Sequence, residues 1–282
     1  MTEPGGYSAS ETLHTEGHNG VTYAYRQLGR AESRPLVLLQ HFRGNLDNWD
    51  PALIDALAAD RRVIVFDNVG VGGTTGLTPT SIAEMARDAI TFLDSLSLSD
   101  VDLLGFSIGS FVAQEIALIR ASIVGKIILA STASQGAPGM HGWADDIIDA
   151  VGRPQVDPDG VLRAFFRDTS TSREAGRQFL ERLGQRAAGH DEPTTWQTRN
   201  AQYDAVLKWG TPDFGLLQRL SAVKQPVFVA NGDDDLMILP WYSYLVGSLL
   251  PSAEVKIYPD SAHGFLFQHF ANFAADVLAF LA

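Results

Sequence analysis

The sequence predicts an α/β fold built on a mostly parallel sheet flanked by helices, and three observations carry that expectation. Short runs of apolar and β-branched residues recur along the chain, and the middle ones are apolar on both faces, as strands covered on both sides must be. Helical patterns lie between most of these runs, which is the alternation of βαβ units. The alternation lapses once, over residues 133–212, where helix-like patches split by Gly and Pro replace the strand runs.

Taken in order, VTYAYRQL from Val21 alternates in its middle and reads as part of an antiparallel pair on one edge. PLVLLQ from Pro35, RVIVFD from Arg62, VDLLGF from Val101 and KIILAS from Lys126 read as buried parallel strands. PVFVAN from Pro226 and EVKIYP from Glu254 resume the pattern. SIAEMARDAITFLDSL opens on Ser81 with Glu84 three residues later, which suits a capping box, and its apolar residues recur at helical spacing. IGSFVAQEIALI is a more apolar helix and FANFAADVLAFLA closes the chain as another. ADDIIDAV, GVLRAFFRD and SREAGRQFLERLGQR are the helical patches of the interrupted segment. The domain reading is a core of residues 1–132, a helical insertion of 133–212 and a returning core of 213–282.

The 282 residues suffice for one large domain or one domain with an insertion. The net charge of −12 disfavours nucleic acid and anionic membrane surfaces as partners. The absence of cysteine excludes disulfides, thiolate catalysis and cysteine-ligated metals. No H-E-x-x-H metal motif, Walker A lysine motif or dinucleotide fingerprint is present, so neither a metal nor a cofactor is expected. The polar start lacks a secretory pattern and no apolar run approaches a membrane span, so a cytoplasmic protein is expected.

The most informative stretch is Gly105-Phe106-Ser107-Ile108-Gly109, between an apolar strand and a helix. Small residues two before and two after a serine allow a strand and a helix to meet at a very tight turn. That is the nucleophile elbow, which holds the serine in a strained conformation with its hydroxyl above the sheet. It also puts the Ile108 N–H at a helix start, where a developing oxyanion is stabilised. A serine nucleophile needs a base and a group that orients the base. Of the seven histidines, His263 lies in a loop of small residues just past the strand EVKIYP, where catalytic groups collect in open α/β sheets. The acid belongs between serine and histidine in the chain. Asp233, Asp234 and Asp235 follow a buried strand; two of the three read as a solvated acidic turn, and Asp235 is selected.

These motifs resemble the α/β-hydrolase superfamily, in its lidded group of small serine esterases and cofactor-free haloperoxidases. The resemblance covers nearly the whole chain and is weakest in the insertion. It implies an eight-stranded sheet with a helical lid inserted after strand 6. Family members carry the acid in G-x-x-D, matched by Gly232 and Asp235, and the base in a small-residue-His-Gly segment, matched by Ala262-His263-Gly264. A His-Gly-x segment supplies the second oxyanion N–H, which the resemblance places on Phe42, with Trp49 as the family tryptophan. The chain departs there, since Gln40 and His41 replace His-Gly. FDNVGVGGTTG matches another family loop without its arginine, and Asp67, Gly70 and Gly72 are expected to shape the bend.

The expectation is therefore a serine hydrolase with Ser107, Asp235 and His263 as catalytic residues and Phe42 and Ile108 as oxyanion donors. Met140, Trp143, Phe165, Phe166, Trp196, Tyr203 and Trp209 in the insertion are mostly lid packing. His41, Trp143 and Phe166 are the candidates for the substrate pocket. The expected partner is a small to medium hydrophobic ester or lactone, with assembly into a homo-oligomer left open. The alternatives are a carbon–carbon bond hydrolase or perhydrolase using the same residues, and a ligand-binding receptor on the hydrolase fold.

Overall fold

In a computed structural model, described for residues 6–140, 142–154 and 158–282, eight strands form one sheet in the order β1-β2-β4-β3-β5-β6-β7-β8. They are β1 (Leu13–Glu16), β2 (Thr22–Gly29), β3 (Pro35–Leu39), β4 (Arg62–Phe66), β5 (Val101–Phe106), β6 (Val124–Ala130), β7 (Val227–Gly232) and β8 (Ala253–Tyr258). Strands β3 to β8 pair in parallel; β2 pairs antiparallel with both β1 and β4. The expected antiparallel edge is present. Its outermost strand is β1, whose LHTE is too short and polar to stand out, while β2 lies one place inward. Every residue of β5 and β7 is buried, as central strands between helix layers require.

The first helices are α1 (Gly6–Ala9), α2 (Pro51–Ala58), α3 (Ile82–Ser95) and α4 (Ile108–Ile119). The Ser81 hydroxyl accepts the Glu84 N–H at 3.3 Å and donates to the Glu84 carboxylate at 2.6 Å, so serine caps α3 as expected. Between β6 and β7 lie α5 (Asp145–Val151), α6 (Pro158–Phe165), α7 (Ser170–Leu183), α8 (Trp196–Trp209) and α9 (Phe214–Gln218). Three of these coincide with the patches read from sequence. The periodicity does not mark α8, because buried Thr198, Arg199 and Gln202 share its inner side with Ala201, Ala205 and Val206. After β7 come α10 (Pro240–Leu249), α11 (Phe265–Gln268) and α12 (Phe270–Leu281). Helix α12 packs against α2, and α3 against α4. No helix among the described residues is long and apolar enough to cross a membrane.

Polar contacts tie the helical excursion α5–α8 to the sheet. Arg182 of α7 reaches Asp50 with two bonds of 2.8 and 2.6 Å, and Asp50 is fully buried at the cap of α2. The Phe165 carbonyl accepts the Gly264 N–H at 2.8 Å, next to His263. Arg43, in the loop after β3, donates to the Val151 and Pro154 carbonyls at 3.3 and 2.9 Å, and the Asn45 side chain donates to the Glu192 carbonyl at 3.0 Å.

Candidate active site

Ser107 sits between β5 and α4 with φ 56° and ψ −123°, a conformation an L-residue holds only when its surroundings enforce it. The surroundings are the two glycines. A Cβ on Gly105 would lie 2.6 Å from Ser110 Cα, and one on Gly109 would overlap the Leu39 carbonyl and come within 2.8 Å of the Gln40 oxygen. The turn closes only without those carbons. The Ser107 N–H donates to the Ala130 carbonyl at 2.9 Å, fixing the turn to the neighbouring strand. Ile108 opens α4, so its N–H has no carbonyl four residues earlier within the helix.

The acidic run after β7 sorts itself by partner. Asp235 is fully buried; its Oδ1 accepts the Met237 and Ile238 amides at 2.8 and 2.9 Å, and its Oδ2 lies 2.8 Å from His263 Nδ1. Asp233 accepts the Asp260 and Ser261 amides at 3.0 and 3.1 Å and so shapes the histidine loop. Asp234 faces outward and pairs with Arg167 at 2.9 Å. Three adjacent carboxylates are tolerated because each turns to a different set of donors. Gly232 lets the two loops meet, since a Cβ there would lie 2.5 Å from the Ser261 oxygen. With Asp235 accepting at Nδ1–H, the second nitrogen of His263 is left with its lone pair.

Ser107 and His263 both line one cavity of about 530 Å³. His41, Phe42, Val151, Val161, Phe165 and Met237 are its apolar and aromatic lining. Arg43, Asn45, Asp47, His190, Asp191 and Thr194 are among its polar lining. The structure thus brings Ser107, Asp235, His263, Phe42, Ile108 and His41 to one region. Two pocket candidates are corrected. Phe166 packs on Phe179, 5.7 Å between ring centroids, while its neighbour Phe165 faces the cavity; consecutive residues at a helix end point in different directions. Trp143 packs edge-on against Phe42 at 5.1 Å and lines a separate cavity of about 280 Å³. His190, in the segment between α7 and α8, also lines the main cavity, and His141 lies outside the described residues.

The loop after β3 explains the departure from His-Gly. Gln40 is buried; its amide donates to the Asn45 carbonyl at 2.9 Å and its oxygen accepts the His41 N–H at 2.9 Å. It staples the loop that presents Phe42. His41 Nδ1 lies 2.9 Å from the Phe42 carbonyl. Burial, with the nearby His263 adding, pushes the His41 pKa down to about 4, against the partial support of that carbonyl. His41 is therefore neutral at ordinary pH.

Further along the loop, burial alone would raise the Asp47 carboxyl, but the Asp191 amide and Arg26 outweigh it and hold it below its ordinary value. Asp67, expected to be structural, accepts the Leu46 and Gly73 amides at 2.9 and 3.2 Å. Burial, and then the adjoining Asp191 carboxyl, push Asp67 well above the carboxylate range. Sequence reasoning missed this carboxyl pair because its members are far apart in the chain. Among the described residues no group of three or more His, Asp or Glu is placed to hold a metal ion.

A family model described as alpha/beta hydrolase fold matches residues 34–270. The chain belongs to this family, and it is a hydrolase-class enzyme by that membership. It is 37% identical to an alpha/beta hydrolase fold protein from Chitinophaga pinensis, with 98% of each chain covered and a TM-score of 0.91. It is 28% identical to a poly(3-hydroxyalkanoate) depolymerase of Ectopseudomonas oleovorans, over 90% of this chain and 86% of the relative. It is 27% identical to a Rhizobium rhizogenes protein named "Putative carbamate hydrolase RutD", over 90% of this chain and 95% of the relative.

Proposed function

We propose that the chain is a serine hydrolase that cleaves small to medium carboxylic esters or lactones through an acyl-enzyme on Ser107. The observation that carries the reading is the 2.8 Å bond between buried His263 and buried Asp235, beside a cavity that both His263 and the strained Ser107 line. His263 takes the proton as Ser107 Oγ attacks the carbonyl carbon. Asp235 holds the imidazole with Nδ1–H toward itself and stabilises the cation that forms. The N–H groups of Phe42 and Ile108 receive the oxyanion. His263 then returns the proton to the leaving alkoxide and activates the water that releases the acid. These steps call for no cofactor.

The cavity volume of about 530 Å³ fits a compact substrate. Val151, Val161 and Phe165 come from the α5–α8 segment, which thereby acts as a lid over the reacting groups. Esters and lactones have the relative named a poly(3-hydroxyalkanoate) depolymerase in their favour. Carbamates are a second reading, favoured by the relative bearing that name, and use the same attack on a carbonyl. The test is turnover of a panel of short esters, lactones and carbamates by wild type and Ser107→Ala. Turnover of esters or lactones that Ser107→Ala abolishes supports the proposal. Carbamate turnover alone moves the assignment to the second reading, and undiminished turnover by Ser107→Ala sinks both.

A further inference from the structure

His41 occupies a position the reaction above does not use. It lies in the same cavity wall as Ser107 and His263. Its ring is held edge-on by Phe106, at 5.4 Å and 70°, and by Phe165, at 5.3 Å and 82°. The same two rings flank His263, at 5.0 and 5.6 Å. Two imidazoles therefore share one aromatic clamp. Their protonation roles differ, and the difference follows from their partners. A carbonyl oxygen only accepts, so the 2.9 Å contact with the Phe42 oxygen requires Nδ1 of His41 to carry the hydrogen. A neutral ring with Nδ1–H has a bare lone pair at Nε2. Nothing among the described residues donates to that atom, whereas the phenylalanine clamp would suit any flat ring. The single feature that distinguishes histidine here is an acceptor in the lining of the cavity that Ser107 also lines.

We propose that His41 is a specificity-determining residue, whose Nε2 accepts a hydrogen bond from a hydroxyl or N–H group carried on the first or second carbon beyond the scissile carbonyl. The preferred substrates are then 2- or 3-hydroxyacyl esters and their N–H counterparts, not simple alkanoyl esters. The low basicity of the ring fits the role, because a neutral imidazole keeps the lone pair that a protonated one would lose. The general-base role falls to His263, which unlike His41 has a carboxylate partner. The proposal rests on the hydrolase reading and narrows its substrate class.

The experiment compares ethyl 2-hydroxypropanoate with ethyl 2-methoxypropanoate. Both carry an electron-withdrawing oxygen and only the first can donate. Wild type is expected to favour the hydroxy ester in kcat/KM by about tenfold, the scale of one hydrogen bond in a dry site. His41→Phe keeps an aromatic ring in the clamp and removes the acceptor, and is expected to bring that ratio close to one. An unchanged ratio in His41→Phe, or a wild-type ratio near one with both esters turned over, overturns the proposal. If wild type turns over no ester at all, the ester reading fails by itself. The acceptor is then judged on wild-type protein by the ¹⁵N shift of His41 Nε2 during titration with 2-hydroxypropanamide and 2-methoxypropanamide. A shift with the hydroxy amide alone supports it, and no shift with either contradicts it. The same measurement serves if His41→Phe does not fold.

Discussion

The turn at Ser107 and the junction between the sheet and the α5–α8 helices are held in contrasting ways. At the turn, short-range sterics decide: Gly105 and Gly109 leave no carbon where Ser110 and the Leu39 carbonyl must lie, and Ser107 is forced to φ 56°. At the junction, charged groups far apart in the chain decide: Arg182 with Asp50, Arg167 with Asp234, and Asp191 with Asp67. The first arrangement is rigid and written within five residues. The second is distributed, screened where exposed, and sensitive to protonation. The proposed function calls for both, a strained serine as nucleophile and a lid segment that admits a substrate.

The largest effects come from breaking the chemistry and the turn. Ser107→Ala is expected to lower ester turnover by on the order of 10⁴-fold or more while leaving the melting temperature within a few degrees, measured by steady-state kinetics and calorimetry. Asp235→Asn is expected to cost about 10³–10⁴-fold, because the amide no longer fixes the imidazole as a carboxylate does. Asp234→Asn removes only an ion pair half open to solvent and changes turnover by less than about threefold. Equal losses at both positions would contradict the sorting of the acidic run by partner.

Stability measurements then separate the two regions. Gly109→Ala drives a Cβ into the Leu39 carbonyl, which is backbone and cannot rotate away, so a loss of about 3 kcal/mol or more is expected in urea unfolding. Arg182→Ala strands the fully buried Asp50 carboxylate and is expected to cost about 3 kcal/mol. Gly109→Ala is expected to abolish turnover in the folded fraction, whereas Arg182→Ala changes mainly stability.

The smallest effect is one of pH. The Asp67 carboxyl binds its proton more tightly folded than unfolded, so stability falls as pH rises from the ordinary carboxylate range toward its raised pKa. Asp191→Asn removes the carboxyl that adds to burial in raising it, and replaces it with an amide that can donate to an ionised Asp67. The melting temperature of wild type is thus expected to fall relative to Asp191→Asn as pH rises through and above the ordinary carboxylate range. A constant difference across that range would show that the pair carries no shared proton.

The contrast also explains what the sequence discloses. The GFSIG turn and the strand runs are legible because sterics and periodicity act over a few residues, and the Gly232–Asp235 spacing is legible through the family resemblance. Helix α8 and strand β1 are not, since buried polar side chains break one pattern and a four-residue edge leaves none. Phe165 and Phe166 could not be told apart, because the facing of a helix end depends on the tertiary contact that the Phe165 carbonyl makes with Gly264. The tautomer of His41 and the pairing of Asp67 with Asp191 depend on groups brought together only by the fold.

The central claim is that the sheet, the turn and the His263–Asp235 pair make Ser107 a nucleophile. Its most direct test is labelling of the intact protein with a fluorophosphonate, followed by peptide mass spectrometry, in wild type and His263→Ala. Modification of Ser107 alone in wild type, lost or strongly slowed in His263→Ala, is the expected result. A folded wild-type protein that takes no label, or takes it at the same rate without His263, would contradict the account.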